Sequence, residues 1–214
     1  MHRVFRKLRA RNVPVERLCA VEIFGKTGTS HTVDYVSRVR SLEVWEIDPA
    51  FESDLKRNLP RATVRITDSF EELKRSSSRF DLIVLDNPSS TFGARCEHFD
   101  AFPGVFRIAS DRCILIANVI PRTNESARRT YPYLFSEKHL ARRAEFYQTD
   151  HPERLSFAEI ANTYEELARS SGFNMNWWFV ERRTFVYYFV FQIERGTAIP
   201  ANIRSWSVES VPAR

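Results

Sequence analysis

Leu18-Cys19-Ala20-Val21-Glu22-Ile23-Phe24, followed at once by Gly25-Lys26-Thr27-Gly28, is the stretch on which the fold turns. An apolar run holding a single carboxylate predicts a strand, and two glycines in four residues predict a tight turn at its end. Val33, Val36 and Val39 then recur at threefold spacing, which predicts a helix. Strand, turn and helix in that order open a parallel sheet.

Working outward, the same unit repeats. Leu42 to Ile47 is the second predicted strand, and Asp48-Pro49 reads as an N-cap with proline as the first helical residue. Phe51, Leu55 and Leu59 give that helix an apolar stripe, which Pro60 ends. Ala62 to Ile66 is a short third strand. Phe80 to Leu85 and Cys113 to Ile120 are near-continuous apolar runs of the kind buried on both faces. Ser156 and Glu159 have capping-box spacing for a helix over Phe157 to Ser170, closed by Gly172. Met175 to Glu181 and Thr184 to Glu194, separated by Arg182-Arg183, read as an antiparallel hairpin. The fold class that results is α/β, a doubly wound, mostly parallel seven-stranded sheet with a C-terminal antiparallel hairpin. Residues 1–17 are expected to form a basic docking helix, 18–195 the domain, 121–155 an insertion within it, and 196–214 a polar tail.

Composition sets the class. The 214 residues carry a formal charge of +5 and a pI near 9.3, which suits anionic partners without indicating nucleic acid. No stretch approaches the roughly 18 apolar residues of a membrane-spanning helix, so no membrane partner is expected. The N-terminus lacks the apolar run of a secretory signal. Cys19 and Cys113 lie in apolar strands and Cys96 in a polar loop, a scattered set that fits a reducing cytoplasm and predicts no metal cluster.

In an open α/β sheet ligands bind beyond the carboxyl ends of the strands, where strand order reverses. Those ends carry Glu22, Gly25, Lys26 and Gly28 after strand one, Glu46 and Asp48 after strand two, Asp68 after strand three, and Asp86-Asn87-Pro88 after strand four. This is a nucleoside site in outline. Glycines allow close approach, and Glu46 lies at the distance from the turn where an acid accepts ribose hydroxyls. Asp68 is placed to accept from an adenine amine. Each has a structural rival: Asp48 as a helix cap, Asp68-Ser69 as a cap for a helix beginning at Phe70, and the glycines as a tight turn. A phosphate-binding loop ending in Gly25-Lys26-Thr27 needs a glycine where Ala20 stands.

In these positions the chain resembles the class I S-adenosylmethionine-dependent methyltransferases. ValGluIlePheGlyLysThrGly (21–28) is similar to their acidic glycine-rich first motif. ValTrpGluIleAspPro (44–49), IleThrAspSer (66–69) and PheAspLeuIleValLeuAspAsnPro (80–88) are similar to the next three in order. The resemblance covers roughly residues 18 to 120 and 156 to 195. It implies S-adenosylmethionine as cofactor. Glu22 would hold the methionine ammonium, Gly25 and Gly28 would allow close approach, Glu46 would hold the ribose, and Asp68 the adenine amine. Phe24 and Lys26 stand where the family usually carries glycine. Phe24 narrows the pocket, and Lys26 either pairs with the cofactor's carboxylate or marks a more anionic ligand.

Methyl transfer from a sulfonium is a direct displacement, needing a base only if the acceptor loses a proton. Asp86 and Asn87 are the best-placed polar groups, with His98 either a base or a loop cap. His31 is placed to face the cofactor, and His139 to lie on a solvated helix surface. Arg128, Arg129, Arg142 and Arg143, with Tyr131, Tyr133, Phe146 and Tyr147, suit a small anionic or sugar-like acceptor, or else pack the insertion onto the core. The alternatives are a nucleic-acid methyltransferase and a non-catalytic relative that kept the fold. The hairpin aromatics Trp177, Trp178, Phe185, Tyr187 and Tyr188 would serve a homodimer or the core.

Overall fold

A computed structural model describes residues 1–86, 98–102, 104–122, 129, 132–183 and 186–196, the side chains of Tyr133 and Leu134 excepted. Within it β1 (Cys19–Ile23) runs parallel between β2 (Ser41–Glu46) and β4 (Phe80–Leu85). β3 (Thr63–Ile66) extends the sheet beyond β2, and β5 (Ala109–Val119) beyond β4, both parallel. β7 (Tyr187–Arg195) pairs antiparallel with β5, and β6 (Phe173–Arg182) antiparallel with β7. The order is β3-β2-β1-β4-β5-β7-β6, so the direction of winding reverses between β1 and β4. That is where an open sheet leaves room for a ligand.

Strand alternation sorts the core into two layers. Val21, Ile23, Ile83, Leu85 and Leu115 face α3 (Ser69–Arg75), α4 (Gly104–Arg107) and α6 (Phe157–Ser170). Ala20, Leu42, Val44, Leu82, Val84, Ile114 and Ile116 share the other layer with α1 (His2–Ala10) and α2 (Glu52–Asn58). α1 belongs to this core: Val4, Phe5 and Leu8 are fully buried along one face. Its basic residues stay outside, with Arg3 and Lys7 both paired to Glu181. α5 (Glu137–Tyr147) lies over Phe99 on the first layer, its Phe146 ring stacked 4.0 Å from that of Phe99.

Several local readings hold. Asp48 caps the 3-10 turn Pro49–Phe51 by accepting from the Ala50 N–H, with proline at the first position. Ser156 and Glu159 form the full capping box, and Gly172 takes a left-handed φ of 82° after the helix. The helix expected over Val33, Val36 and Val39 is replaced by a single 3-10 turn, Thr32–Asp34, and Val33 is left exposed. Two physical causes act there. Gly28, Thr29, Ser30 and Thr32 are poor helix formers whose hydroxyls compete for the backbone. The Phe5 ring of α1 also stacks on Tyr35 at 5.1 Å, filling the face that such a helix would cover.

Candidate functional site

Alternation places Glu22, Asp86 and Asn118 on the layer shared with α1, at the carboxyl ends of β1, β4 and β5. Asn118 pairs in register with Tyr188 of β7. Asp86 is the hub. Its Oδ1 accepts from Asn118 Nδ2 at 2.5 Å and from Arg183 Nη1 at 3.1 Å, and its Oδ2 accepts from the Tyr188 hydroxyl at 3.4 Å. Its side chain is only 6% exposed, so the Arg183 guanidinium balances a charge that water cannot reach. Burial and the Asp86 charge push the Tyr188 hydroxyl well above its ordinary pKa.

Glu22 lies in the same layer, with no cation paired to it among the described residues. Its Oε1 accepts from the Thr32 hydroxyl at 2.7 Å, and its Oε2 accepts from the Tyr35 hydroxyl. Burial, reinforced by the Asp86 charge, raises its pKa to about 8. The carboxyl group is therefore largely protonated at neutral pH, which answers the cost of placing it in an apolar strand. Both of its oxygens are engaged and the residue is 4% exposed, so Glu22 holds Thr32 and Tyr35 beneath the turn. His31 sits edge-on to Tyr188 at 5.7 Å, with burial lowering its pKa.

The turn after β1 is held by Glu46. One carboxylate oxygen accepts from the Lys26 N–H at 2.6 Å, and the other from the Asp48 N–H at 2.9 Å. Phe24 and Lys26 both adopt left-handed backbone, at φ 71° and 49°, which ordinarily favours glycine. The shape of a glycine-rich loop is thus kept without glycine at positions 24 and 26. Phe24 leans on Phe70 of α3, ring centroids 5.7 Å apart, and packs against the first core layer. Gly25 and Gly28 serve close approach of a different kind from that expected. A Cβ on Gly25 would lie 2.2 Å from Val44, and one on Gly28 2.6 Å from Leu59. The crowding comes from β2 and from the residue that follows α2.

Asp68 caps α3, accepting from the Phe70 N–H at 2.8 Å, and is half-buried beyond β3. Ile47 stands 62% exposed immediately after Glu46. Asn87 lies outside the described residues, as do Arg128, Tyr131 and Phe185.

His98, expected as either a base or a loop cap, lies on the opposite layer from Asp86 and makes no side-chain cap hydrogen bond. It is 1% exposed among Phe99, Phe102 and Tyr164, with Nε2 hydrogen-bonded to the Tyr164 hydroxyl. Burial lowers its pKa to about 3, so it stays neutral. His139, expected at the solvated surface, is 6% exposed, its pKa lowered to about 4 by burial and by the Arg143 charge.

Arg143, Phe146 and Tyr147 of the insertion are used for packing. Arg143 is 1% exposed and donates to the Pro152 and Ile120 carbonyls, at 3.0 and 2.6 Å. Arg142 pairs with Asp100 and Glu145. Phe146 and Tyr147 join the aromatic core, and so do Trp178 and Tyr188 of the hairpin. Among the described residues, no group of three or more His, Cys, Asp or Glu side chains is placed to hold a metal ion, and no helix is long and apolar enough to cross a membrane. Arg183, Tyr188, Asn118, Thr32 and Tyr35 were not foreseen. The one signal in the sequence was Asn118, a polar residue inside the run Cys113 to Ile120.

No protein-family model and no curated protein matches the sequence. Solved structures match the fold. Magnesium protoporphyrin IX methyltransferase from Synechocystis PCC 6803, with bound S-adenosylhomocysteine, is 11% identical over 91% of this chain and 81% of that one, at a TM-score of 0.57. The N-methyltransferase NodS from Bradyrhizobium japonicum, also with S-adenosylhomocysteine, is 11% identical over 89% and 86%, at 0.51. The CurJ carbon methyltransferase is 15% identical over 91% of this chain and 54% of that one, at 0.55. The chain therefore has the class I methyltransferase fold, with the helix after β1 reduced to one turn.

Proposed function

We propose that the chain is an S-adenosylmethionine-dependent methyltransferase acting on O or N of a small acceptor that carries an anionic or sugar-like group. The observation that carries the reading is Glu46. It is an acid at the carboxyl end of β2, one strand from the winding reversal, bonded to the backbone of the β1 turn. An ionised carboxylate accepts about four hydrogen bonds, and two are taken here, which leaves capacity for a pair of ribose hydroxyls. Ile47 beside it offers an apolar face to a purine, and Asp68 an acceptor to its amine. The exposed Lys26 ammonium suits the carboxylate of the methionine portion. The solved neighbours that hold S-adenosylhomocysteine support the same cofactor.

Bound S-adenosylmethionine supplies a methyl group activated on sulfur. The chain's own contribution is to hold the acceptor in line with it. Asp86, bonded to Arg183, Asn118 and Tyr188, is placed to orient the acceptor. Arg183 is 27% exposed at its side chain, and its guanidinium can share an anionic acceptor with Asp86. This cation takes over the role expected of Arg142 and Arg143. Thermal-shift titration with S-adenosylhomocysteine, against ATP and NAD, tests the cofactor assignment: stabilisation by the first alone supports it, and preference for ATP removes it.

A second reading is favoured by the same hydrogen bonds. Glu46 pins a loop, Asp68 caps a helix and Glu22 is sealed, as in a fold kept without catalysis. Indifference to all three ligands would establish it. A nucleic-acid acceptor predicts a steep loss of activity with salt.

A further inference from the structure

A second cleft lies at the other end of the sheet. It opens where the chain passes from α1 to β1, over the amino ends of β4 and β5 and across onto β6 and β7, with a volume of about 460 Å³. Small-molecule sites run from about 300 to 1,000 Å³. Its floor is one row of the sheet: Ile114, Gln192 and Trp177 are successive cross-strand partners. Arg11, Arg17 and Arg112 are also in its lining. The five residues from Asp81, which lines the cleft, to Asp86 span roughly 16 Å along β4, so the cleft is separate from the site at the carboxyl ends.

Its polar groups have few partners in the protein. Gln192 and Trp177 are half-buried, and neither side chain makes a hydrogen bond among the described residues. Gln192 also interrupts the apolar row of Val190 and Tyr188 on the same face of β7, where packing alone calls for an aliphatic residue. Arg17 is exposed and makes no ion pair among the described residues. Among the described residues Arg112 pairs only with Glu194, at the exposed rim, an arrangement that contributes little to stability. The one carboxylate in the lining, Asp81, has both oxygens occupied, by the Cys19 N–H at 3.0 Å and the Ser110 hydroxyl at 2.9 Å. The cleft thus offers an indole with the Arg11 guanidinium 5.9 Å from its ring centroid, an amide able to donate and accept, and the further guanidiniums of Arg17 and Arg112.

We infer that this cleft binds a nucleotide, its base against Trp177 and Gln192 and its phosphate on Arg17 and Arg112. A flat ring against indole and a phosphate on arginine is the pairing these side chains make best. The nucleotide is either free or part of a single strand, since both present the same base and phosphate. The inference does not depend on the methyltransferase reading.

The test is titration of the full chain with adenosine monophosphate, uridine monophosphate, inorganic phosphate and a short single-stranded oligouridylate, followed by tryptophan fluorescence. Trp177→Phe assigns the signal. Arg17→Ser and Gln192→Leu, at non-core positions, guard against a Trp177 variant that fails to fold. Saturable binding of a mononucleotide, tighter than phosphate and weakened about tenfold by Arg17→Ser, is the expected result. Tighter binding of the oligonucleotide, weakened by the same variants, assigns the site to a strand and also supports the inference. Phosphate binding as tightly as the nucleotides, no saturation by any probe, or affinity untouched by both variants overturns it. S-adenosylhomocysteine binding, measured on the same variants and expected unchanged, keeps this outcome distinct from that of the carboxyl-end site.

Discussion

The Glu46 carboxylate accepts the Lys26 backbone N–H at 2.6 Å and so holds a residue that is not glycine in left-handed backbone. Left-handed conformation costs an L-residue about 1–2 kcal/mol, and one short bond from a buried carboxylate is of the size to offset it. The loop is therefore a balance between these two residues.

That balance predicts the order of stability at position 26. Lys26→Gly removes the strain and is expected to be as stable as the parent or more so. Lys26→Ala keeps the strain and should fall about 1 kcal/mol below the glycine variant. Urea midpoints of the two variants, side by side, check the difference; equal midpoints would mean that the left-handed backbone carries no strain.

Gly25 is predicted to be intolerant for a reason unrelated to ligand. A Cβ there would meet Val44 at 2.2 Å, so Gly25→Ala should cost about 1–3 kcal/mol by overpacking. Val44→Ala in the same chain should recover part of that loss. Additive damage in the double variant would show that the crowding lies elsewhere.

Glu22 and His98 give the fold opposing dependences on pH. The folded pKa of Glu22 is raised to about 8, so the folded state holds a proton that the unfolded chain has lost. Stability from this group is full below the unfolded carboxylate pKa and falls as pH rises towards about 8. His98 is lowered to about 3, so below its ordinary value the unfolded chain binds the extra proton, and stability falls as pH drops. The two windows overlap between the ordinary carboxylate and histidine values, roughly pH 4.3 to 6.5, where the slopes cancel, so a broad maximum there is expected in chemical denaturation followed across pH. Glu22→Gln should flatten the alkaline side only. An unchanged alkaline slope in that variant would contradict the buried, protonated carboxyl.

His98 is also predicted to be dispensable for ligand binding. His98→Gln should lower stability by about 1–3 kcal/mol, through the lost Tyr164 bond and packing, while leaving S-adenosylhomocysteine affinity within error of the parent. A selective loss of affinity at unchanged stability would return His98 to the site.

The sheet was legible because its evidence is local. Apolar runs of strand length, proline stops and the caps at Asp48, Asp68 and Ser156 each act over a few residues. The segment after β1 was not, because Val33, Val36 and Val39 fit a helical template on spacing alone. Beside the poor helix formers from Gly28 to Thr32, what prevents the helix is long-range: Phe5 of α1 occupies the face, and the buried Glu22 draws Thr32 and Tyr35 to itself. The site divides the same way. Glu22, Glu46, Asp68 and Asp86 follow from their positions at strand ends. Arg183 and Tyr188 reach Asp86 only through the β5–β7 register, which pairs Asn118 with Tyr188 across 70 positions of sequence. No periodicity in the chain records that pairing.

Calorimetric titration of the parent chain and of Glu46→Gln with S-adenosylhomocysteine tests the central claim most directly. Glutamine keeps one acceptor for the loop but loses the charge and half of the capacity for ribose hydroxyls. We predict saturable binding to the parent, with ATP and NAD silent, and a loss of about tenfold or more in the variant, titrated well below its unfolding midpoint because the loop N–H that loses its acceptor costs about 1–3 kcal/mol. Absence of binding to the parent, or equal affinity in both proteins, would contradict a nucleoside site at Glu46 and leave its carboxylate as a pin for the Lys26 loop.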